Sequence, residues 1–295
     1  MKILMTNWSL HDVGGSEKWT YSMAKTLAGR GHEVDVLTHN LGVVSERMKQ
    51  FADVRLSPSV TYDDEYDLLL ANHSGIVKVP EDAAGFRVHT SHGPQHRLEA
   101  PAGGADVYVG VSQEVVEARR PTCPGRWEVI TNGVDLTEFY PFTGPRRPAR
   151  ALIACKSVAA CNMAGLACER AGIVFDIVHY LKRPEWDMAE RMRSCTFLIG
   201  IGRTAAEALA CGLDVLLFNE PHPKIGPRTD GWIQPGNVDS LRAFNFSARN
   251  EARRVDLEDL TALVSWRPQE RGWQRPWAEA EADIERKADQ YLALM

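Results

Sequence analysis

Two successive α/β domains, each a mostly parallel sheet covered by helices on both faces, are predicted by three observations. The chain has 295 residues, its apolar strand segments alternate with helical patterns, and one proline-rich interruption is followed by a restart of the alternation. At roughly 150 residues per domain the length suffices for two. A composition of 44% hydrophobic and 25% charged residues excludes disorder, collagen and coiled coil.

The elements follow in order. Lys2 to Asn7 is a short apolar strand, Ser16 is the expected N-cap, and Trp19, Met23 and Leu27 recur every four residues as one helix face that Gly29 and Gly31 terminate. Further strands are expected at Glu33 to Thr38, Asp67 to Ala71, Phe86 to Thr90, Asp106 to Val111 and Glu128 to Thr131. Asn132-Gly133 signals a turn, and Pro141 to Pro148 has linker composition, so the boundary is expected after residue 142. The alternation resumes with strand Ala151 to Cys155, helix Val158 to Arg170, strand Ile173 to Val178, helix Trp186 to Arg193, strand Thr196 to Ile199, helix Thr204 to Ala210 and strand Asp214 to Phe218. The domains are thus expected at 1–142 and 143–275. The remaining 276–295 carries Trp277, Ala280, Ile284, Ala288, Tyr291 and Leu292 at helical spacing, a face that needs a partner.

Several function classes are disfavoured. The first residues lack the central apolar stretch of a secretory signal, and the longest uncharged apolar run, Cys195 to Ile201, is far below the ~18 residues of a membrane span. Arg119-Arg120 alone is too small a patch to decide whether the first domain touches a membrane surface. The six cysteines form no C-x-x-C pair and are expected to be reduced and structural in a cytoplasmic protein; the histidines form no zinc pattern, so no metal site is expected. Residues 1–142 carry 13 basic against 19 acidic residues, a balance of −6, and residues 143–275 carry 19 against 15, a balance of +4. The second half is therefore the expected anion holder, with ordinary surface scatter as the alternative, and neither half has the basic stripe of a nucleic-acid binder.

Two glycine turns could carry phosphate chemistry. Gly14-Gly15 lies between the first strand and its helix, where backbone can approach a ligand and the helix N-terminus offers N–H groups; a plain tight turn is the alternative. Gly200-Ile201-Gly202-Arg203-Thr204 repeats that layout and adds a guanidinium, with Glu207 one helical turn on; Glu207 either receives a ribose diol or pairs with a neighbour. Neither turn has the glycine fingerprint of a dinucleotide site, which counts against a nicotinamide dehydrogenase.

In combination these segments resemble the family 4 glycosyltransferases. "GGSEKWTYSMAKTLAGRGHEVDVLTH" is similar to that family's opening, "VGVSQEV" and "VITNGVDLTEFYPF" to the end of its first domain, and "EALACGLDVLLF" to its donor-binding segment. The resemblance implies a GT-B architecture, two doubly wound Rossmann-like domains facing a cleft, with a C-terminal helix returning to the first domain. It implies retaining, metal-independent hexosyl or pentosyl transfer from a nucleoside diphosphate sugar, with no further cofactor. The acceptor would be a hydroxyl on a glycan, lipid or small molecule. The alternatives are transfer to a modified nucleic-acid base, which the acidic first half disfavours, and a nucleotide-sugar-binding protein that has lost turnover.

The resemblance also implies roles. Gly14, Gly15, Lys156, Gly200, Gly202, Arg203, Thr204 and Glu207 would bind the donor, with His92, Lys156 and Arg203 as catalytic groups; the alternatives are that His92 is a turn histidine or that His89 or His96 fills its role, and that Lys156 or Arg203 is a solvated surface cation. Apart from the resemblance, His73 and Ser74, followed by Gly75, come after a strand at its carboxyl end, where open α/β sheets bind ligands, and are assigned to the acceptor side; His179 to Arg183 follows a second-domain strand and would border the base. The family's Glu-x7-Glu places its second glutamate on Glu207 but its first on Ile199, and the second member of its basic pair after Lys156 is lost in "AACNMAG".

Overall fold

The computed structural model describes residues 1–57, 65–74, 84–101, 103–145, 148–179, 185–220 and 224–295. Within them the chain forms two compact units, Met1–Gly133 with Ile284–Met295, and Val134–Asp283. Unit 1 contains β1 (Lys2–Ser9), α1 (Gly15–Gly29), β2 (Glu33–Asn40), α2 (Val43–Met48), β3 (Asp53–Leu56), β4 (Tyr66–Asn72), β5 (Ala84–Ser91), β6 (Val107–Gly110), α3 (Gln113–Arg119) and β7 (Trp127–Val129). Its seven strands are all parallel in the order β3-β2-β1-β4-β5-β6-β7. The interior of β1 is buried on both faces, as a strand covered by helices on both sides must be.

That order places a reversal between β1 and β4. The chain runs outward through β2 and β3 and then returns to the other side of β1, so the connections leaving β1 and β4 diverge at their carboxyl ends. Such a switch point is where open α/β sheets bind ligands. The helix entering there, α1, buries Trp19, Met23 and Leu27 as predicted, each worth about 1.5–3 kcal/mol of apolar burial. Its N-cap is Gly14 rather than Ser16, and no side chain caps it.

Unit 2 contains β8 (Arg150–Ala154), α4 (Val158–Arg170), β9 (Val174–Ile177), α5 (Met188–Ser194), β10 (Phe197–Gly200), α6 (Arg203–Ala210), β11 (Asp214–Asn219), β12 (Arg228–Trp232), α7 (Val238–Ala243), β13 (Arg253–Arg254), α8 (Leu257–Ser265) and α9 (Gln274–Glu281). The sheet order is β13-β12-β11-β10-β8-β9, with β12 and β13 antiparallel to their neighbours. The reversal here lies between β8 and β10. Strand alternation divides the core. Ile153, Ile199, Leu216 and Phe218 share one cluster with residues of α4 and α8. Leu152, Leu198, Val215 and Leu217 share the other with residues of α5, α6, α7 and α9. All six cysteines are buried and free.

Two boundaries differ from the sequence expectation. The units divide at Gly133/Val134, at the Asn-Gly turn, while the proline-rich segment falls inside unit 2. Packing explains this: Phe139 is buried in the second unit's core, and Arg275 donates to the carbonyls of Phe139 and Leu136. The tail is two helices, α9 in unit 2 and α10 (Ile284–Leu292) in unit 1. Between them Ala282 leaves helical geometry, its carbonyl accepting the Val134 N–H at 2.6 Å, and Asp283 bridges to Val134, so the chain is drawn out of the helix.

Candidate active site

At the switch point of unit 1 the strand ends carry a buried polar network. Asn7 ends the buried run of β1, Asn72 closes β4, and His92 follows β5. Thr20, on α1, donates to the Ser16 carbonyl at 2.9 Å, so its oxygen can only accept from Asn7 Nδ2 at 2.8 Å and Asn72 Nδ2 at 3.2 Å. Asn72 is thereby oriented with Oδ1 toward His92 Nε2 at 3.0 Å, which places the proton of a neutral His92 on Nε2. The ring also packs edge-on against Trp19, with centroids 5.3 Å apart.

Glu99 joins this network to a second histidine. Its Oε2 accepts the His92 backbone N–H at 2.5 Å, and its Oε1 lies 3.3 Å from His73 Nε2. His73 Nδ1 accepts the Trp8 N–H at 3.3 Å, so the His73 proton belongs on Nε2, facing the carboxylate. His73 occupies the left-handed region, with φ of 68°, a conformation that costs a non-glycine residue about 1–3 kcal/mol and clusters at functional sites. Burial alone would push the Glu99 carboxyl up, but the hydrogen bond from His73 and the fields of His92 and His73 prevail and hold it at about 2. Burial, against the pull of Glu99, lowers the His89 imidazole on β5 to about 4. Arg119 ties the connecting loop by donating to the Gly93 and His96 carbonyls, so it is an internal brace.

At the switch point of unit 2, Lys156 follows β8 and is exposed, and the Gly200–Thr204 turn follows β10. A Cβ at Gly200 would lie 2.8 Å from the Ala154 carbonyl oxygen, and Gly202 has φ of 68°; both positions require glycine for packing and backbone reasons. Arg203 opens α6 and its Nε donates to Glu207 Oε1 at 2.8 Å, with both side chains buried. The Gly202 N–H donates to the Phe246 carbonyl at 2.8 Å.

No known family profile and no curated protein matches this chain. Among solved structures, the apo form of the lipopolysaccharide outer core galactosyltransferase WaaB is similar with a TM-score of 0.52 at 14% identity, over 100% of this chain and 99% of that one. WaaG, a glycosyltransferase involved in lipopolysaccharide biosynthesis, gives 0.55 at 12% identity, over 98% and 99%. The pneumococcal O-GlcNAc transferase GtfA, in complex with UDP and GlcNAc, gives 0.61 at 9% identity, over 100% and 98%. The fold is GT-B.

Within this GT-B chain the residues singled out from sequence fall into two groups. His73 and His92, assigned to different roles, converge on Glu99, whereas Lys156, Gly200, Gly202, Arg203, Thr204 and Glu207 gather at the carboxyl edge of the second sheet. Gly14 and Gly15 open α1 in unit 1. The Ser74 hydroxyl is spent on the Leu98 and Arg97 carbonyls and its N–H on Leu98, so Ser74 braces the loop that carries Glu99. Ile199 is fully buried, registered between Ile153 and Leu216, and belongs to the core. Gly75 and residues 180–183 lie outside the described residues. The sequence reading missed Glu99, Asn72 and Thr20. Asn72 precedes His73 at a strand end and was a detectable signal, while Glu99 lies in a loop without a motif. Among the described residues no group of His, Cys, Asp and Glu could hold a metal ion, and no helix is long and apolar enough to cross a membrane.

Proposed function

We propose that this chain is a glycosyltransferase that moves a sugar from a nucleoside diphosphate to a hydroxyl of a glycan, lipid or small molecule, with retention of configuration and without a metal. The observation that carries the reading is the grouping of Lys156, Gly202, Arg203 and Glu207 around the switch point of the second sheet. Two cations and a helix N-terminus are the stabilisers that charge developing on a diphosphate leaving group requires. The full-length likeness to WaaB, WaaG and GtfA supports it.

In this reading Lys156 and Arg203 neutralise the diphosphate, Gly200, Gly202 and Thr204 admit it, and Glu207, oriented by Arg203, takes the ribose hydroxyls. Gly14, Gly15 and His92 serve the donor, and His73 the acceptor. The bond between the anomeric carbon and the phosphate oxygen breaks, the acceptor oxygen bonds to that carbon on the same face, and the acceptor proton passes to the leaving phosphate.

A thermal-shift panel of nucleoside diphosphate sugars tests this. One donor class should raise the melting temperature, since ligand at 100 times Kd adds about 2.7 kcal/mol, and Glu207→Ala should abolish the rise. No shift with any donor would overturn it. Ile199 in the core favours a second reading, a binding protein without turnover; donor hydrolysis or transfer above background would exclude that.

A further inference from the structure

The antiparallel end of the second sheet has a feature that no role above uses. Asn219 is registered opposite Arg228, and Arg228 opposite Arg254, so three polar side chains stand in a row on one face across β11, β12 and β13. At the usual strand spacing the row is roughly 10 Å wide. Two cations directly opposite one another destabilise a sheet unless an anion lies between or beside them.

Among the described residues no carboxylate supplies that charge. Among the described residues Arg228, Arg253 and Arg254 make no ion pair, nor does Glu220, the residue after Asn219. Asp230 spends both oxygens on the N–H groups of Asn250, Glu251 and Ala252. Two atoms in this row are also buried without a partner, Arg228 Nε, a donor, and Asn219 Oδ1, an acceptor. Asn219 is only 6% exposed. A third orphan, Ser247 Oγ, belongs to the turn that docks on Gly202 through Phe246, at the same carboxyl edge. Orphaned buried polar groups are costly to leave without a partner, so a donor–acceptor set of this kind is completed by a ligand that both accepts and donates.

We propose that Asn219 and Arg228, with Ser247 and Arg254 beside them, form a subsite for an oxyanion flanked by hydroxyls, a sugar carrying a carboxylate or a phosphoryl group. Arg228 takes the oxyanion and Asn219 Oδ1 an adjacent hydroxyl. The subsite stands on its own geometry; that its occupant is the transferred sugar rests on the donor reading above.

The test titrates the full chain with D-glucuronate, glucose 6-phosphate and glucose, followed by saturation-transfer NMR. At least one anion should bind tenfold or more tightly than glucose. Arg228→Gln should reduce that preference below threefold, whereas Arg253→Gln, at an exposed neighbouring position, should leave it intact. If Arg228→Gln does not fold, Asn219→Ala gives the same readout through a fivefold or larger loss of anion binding. Preference for glucuronate assigns a carboxylate, and preference for the sugar phosphate a phosphoryl group. Equal binding of glucose and both anions, or an unchanged preference in Arg228→Gln, overturns the subsite. Anion preference without any melting shift from nucleoside diphosphate sugars overturns the donor reading and leaves the subsite standing.

Discussion

Glu99 holds His73 by its side chain and His92 by its backbone, with Oε1 3.3 Å from His73 Nε2 and Oε2 2.5 Å from the His92 N–H. An ionised carboxylate accepts at both oxygens, whereas glutamine accepts at one and donates at the other. In Glu99→Gln one of these two N–H groups therefore meets an N–H. His73 cannot escape by moving its proton, because its Nδ1 already accepts from Trp8. Glu99→Gln should lower kcat more than tenfold with little change in the donor KM, and Glu99→Asp should recover part of it. Steady-state kinetics on the two variants checks this; equal kcat in wild type and Glu99→Gln would leave Glu99 a purely structural brace.

Acid should destabilise unit 1 in two overlapping steps. His89 is neutral in both states above pH 6.5, and below it the unfolded chain takes up the proton first, because burial lowers the folded value to about 4. Glu99 is ionised in both states above 4.5, and below it the unfolded chain again protonates first, because the folded value is about 2. Both groups bind more protons when unfolded, so stability falls with pH, from 6.5 to 4 for His89 and from 4.5 to 2 for Glu99. At about 1.4 kcal/mol for each tenfold change in proton affinity, each step withdraws on the order of 3 kcal/mol. Urea unfolding between pH 7.5 and 3.5 should show a plateau above about 7 and a continuous decline below it. His89→Phe should remove the upper part of that decline.

The alternation of strands and helices was legible because burial imposes a period: Trp19, Met23 and Leu27 face the core at helical spacing, and β10 and the Val215–Phe218 interior of β11 are apolar because both faces are covered. The glycine turns were legible for a backbone reason, a positive φ at Gly202 and a close approach at Gly200. The tail misled because its apolar spacing continues across residue 282, while the break is set by the Val134 N–H, far away in sequence. Glu99 was invisible for the same kind of reason. Its importance comes from two partners, His73 and His92, that only the sheet brings together. Conversely Ile199 was reached by motif spacing alone and Ser74 by its place after the carboxyl end of a strand, whereas the sheet register buries Ile199 and the Arg97–Leu98 loop takes up the Ser74 hydroxyl.

Arg203 and Glu207 form a buried pair at 2.8 Å, which gives Glu207→Ala two separable consequences. Removing one member of a buried ion pair costs about 3–5 kcal/mol, whereas replacing both with apolar residues is often neutral. Glu207→Ala should therefore lower the urea midpoint markedly, and the double variant Arg203→Met with Glu207→Leu should restore most of it. Nucleotide affinity should not return in the double variant if these side chains hold the donor. Calorimetry with the best donor from the thermal panel separates the two effects; restored affinity alongside restored stability would make the pair structural only.

The last helix closes unit 1 over Trp19. Tyr291 packs edge-on against the Trp19 ring with centroids 5.5 Å apart, and its hydroxyl lies 3.1 Å from Thr90 Oγ1. Burial, only partly offset by that hydrogen bond, pushes the phenol well above its ordinary range, so it stays protonated. Arg30, at the end of α1, pairs with Glu285 and Asp289 and fixes the helix in register. Tyr291→Phe should cost about 1 kcal/mol through the lost hydrogen bond, and Tyr291→Ala about 3–5 kcal/mol through the cavity. Truncation after Asp283 uncovers Trp19 and should shift its fluorescence to the red. The His92 ring rests on that indole, so Tyr291→Ala should also lower kcat, whereas Tyr291→Phe, which keeps the ring, should preserve it. Kinetics and equilibrium unfolding on the same two variants decide the point: a kcat loss in Tyr291→Phe as large as in Tyr291→Ala would mean that the hydroxyl, not the packing, supports His92.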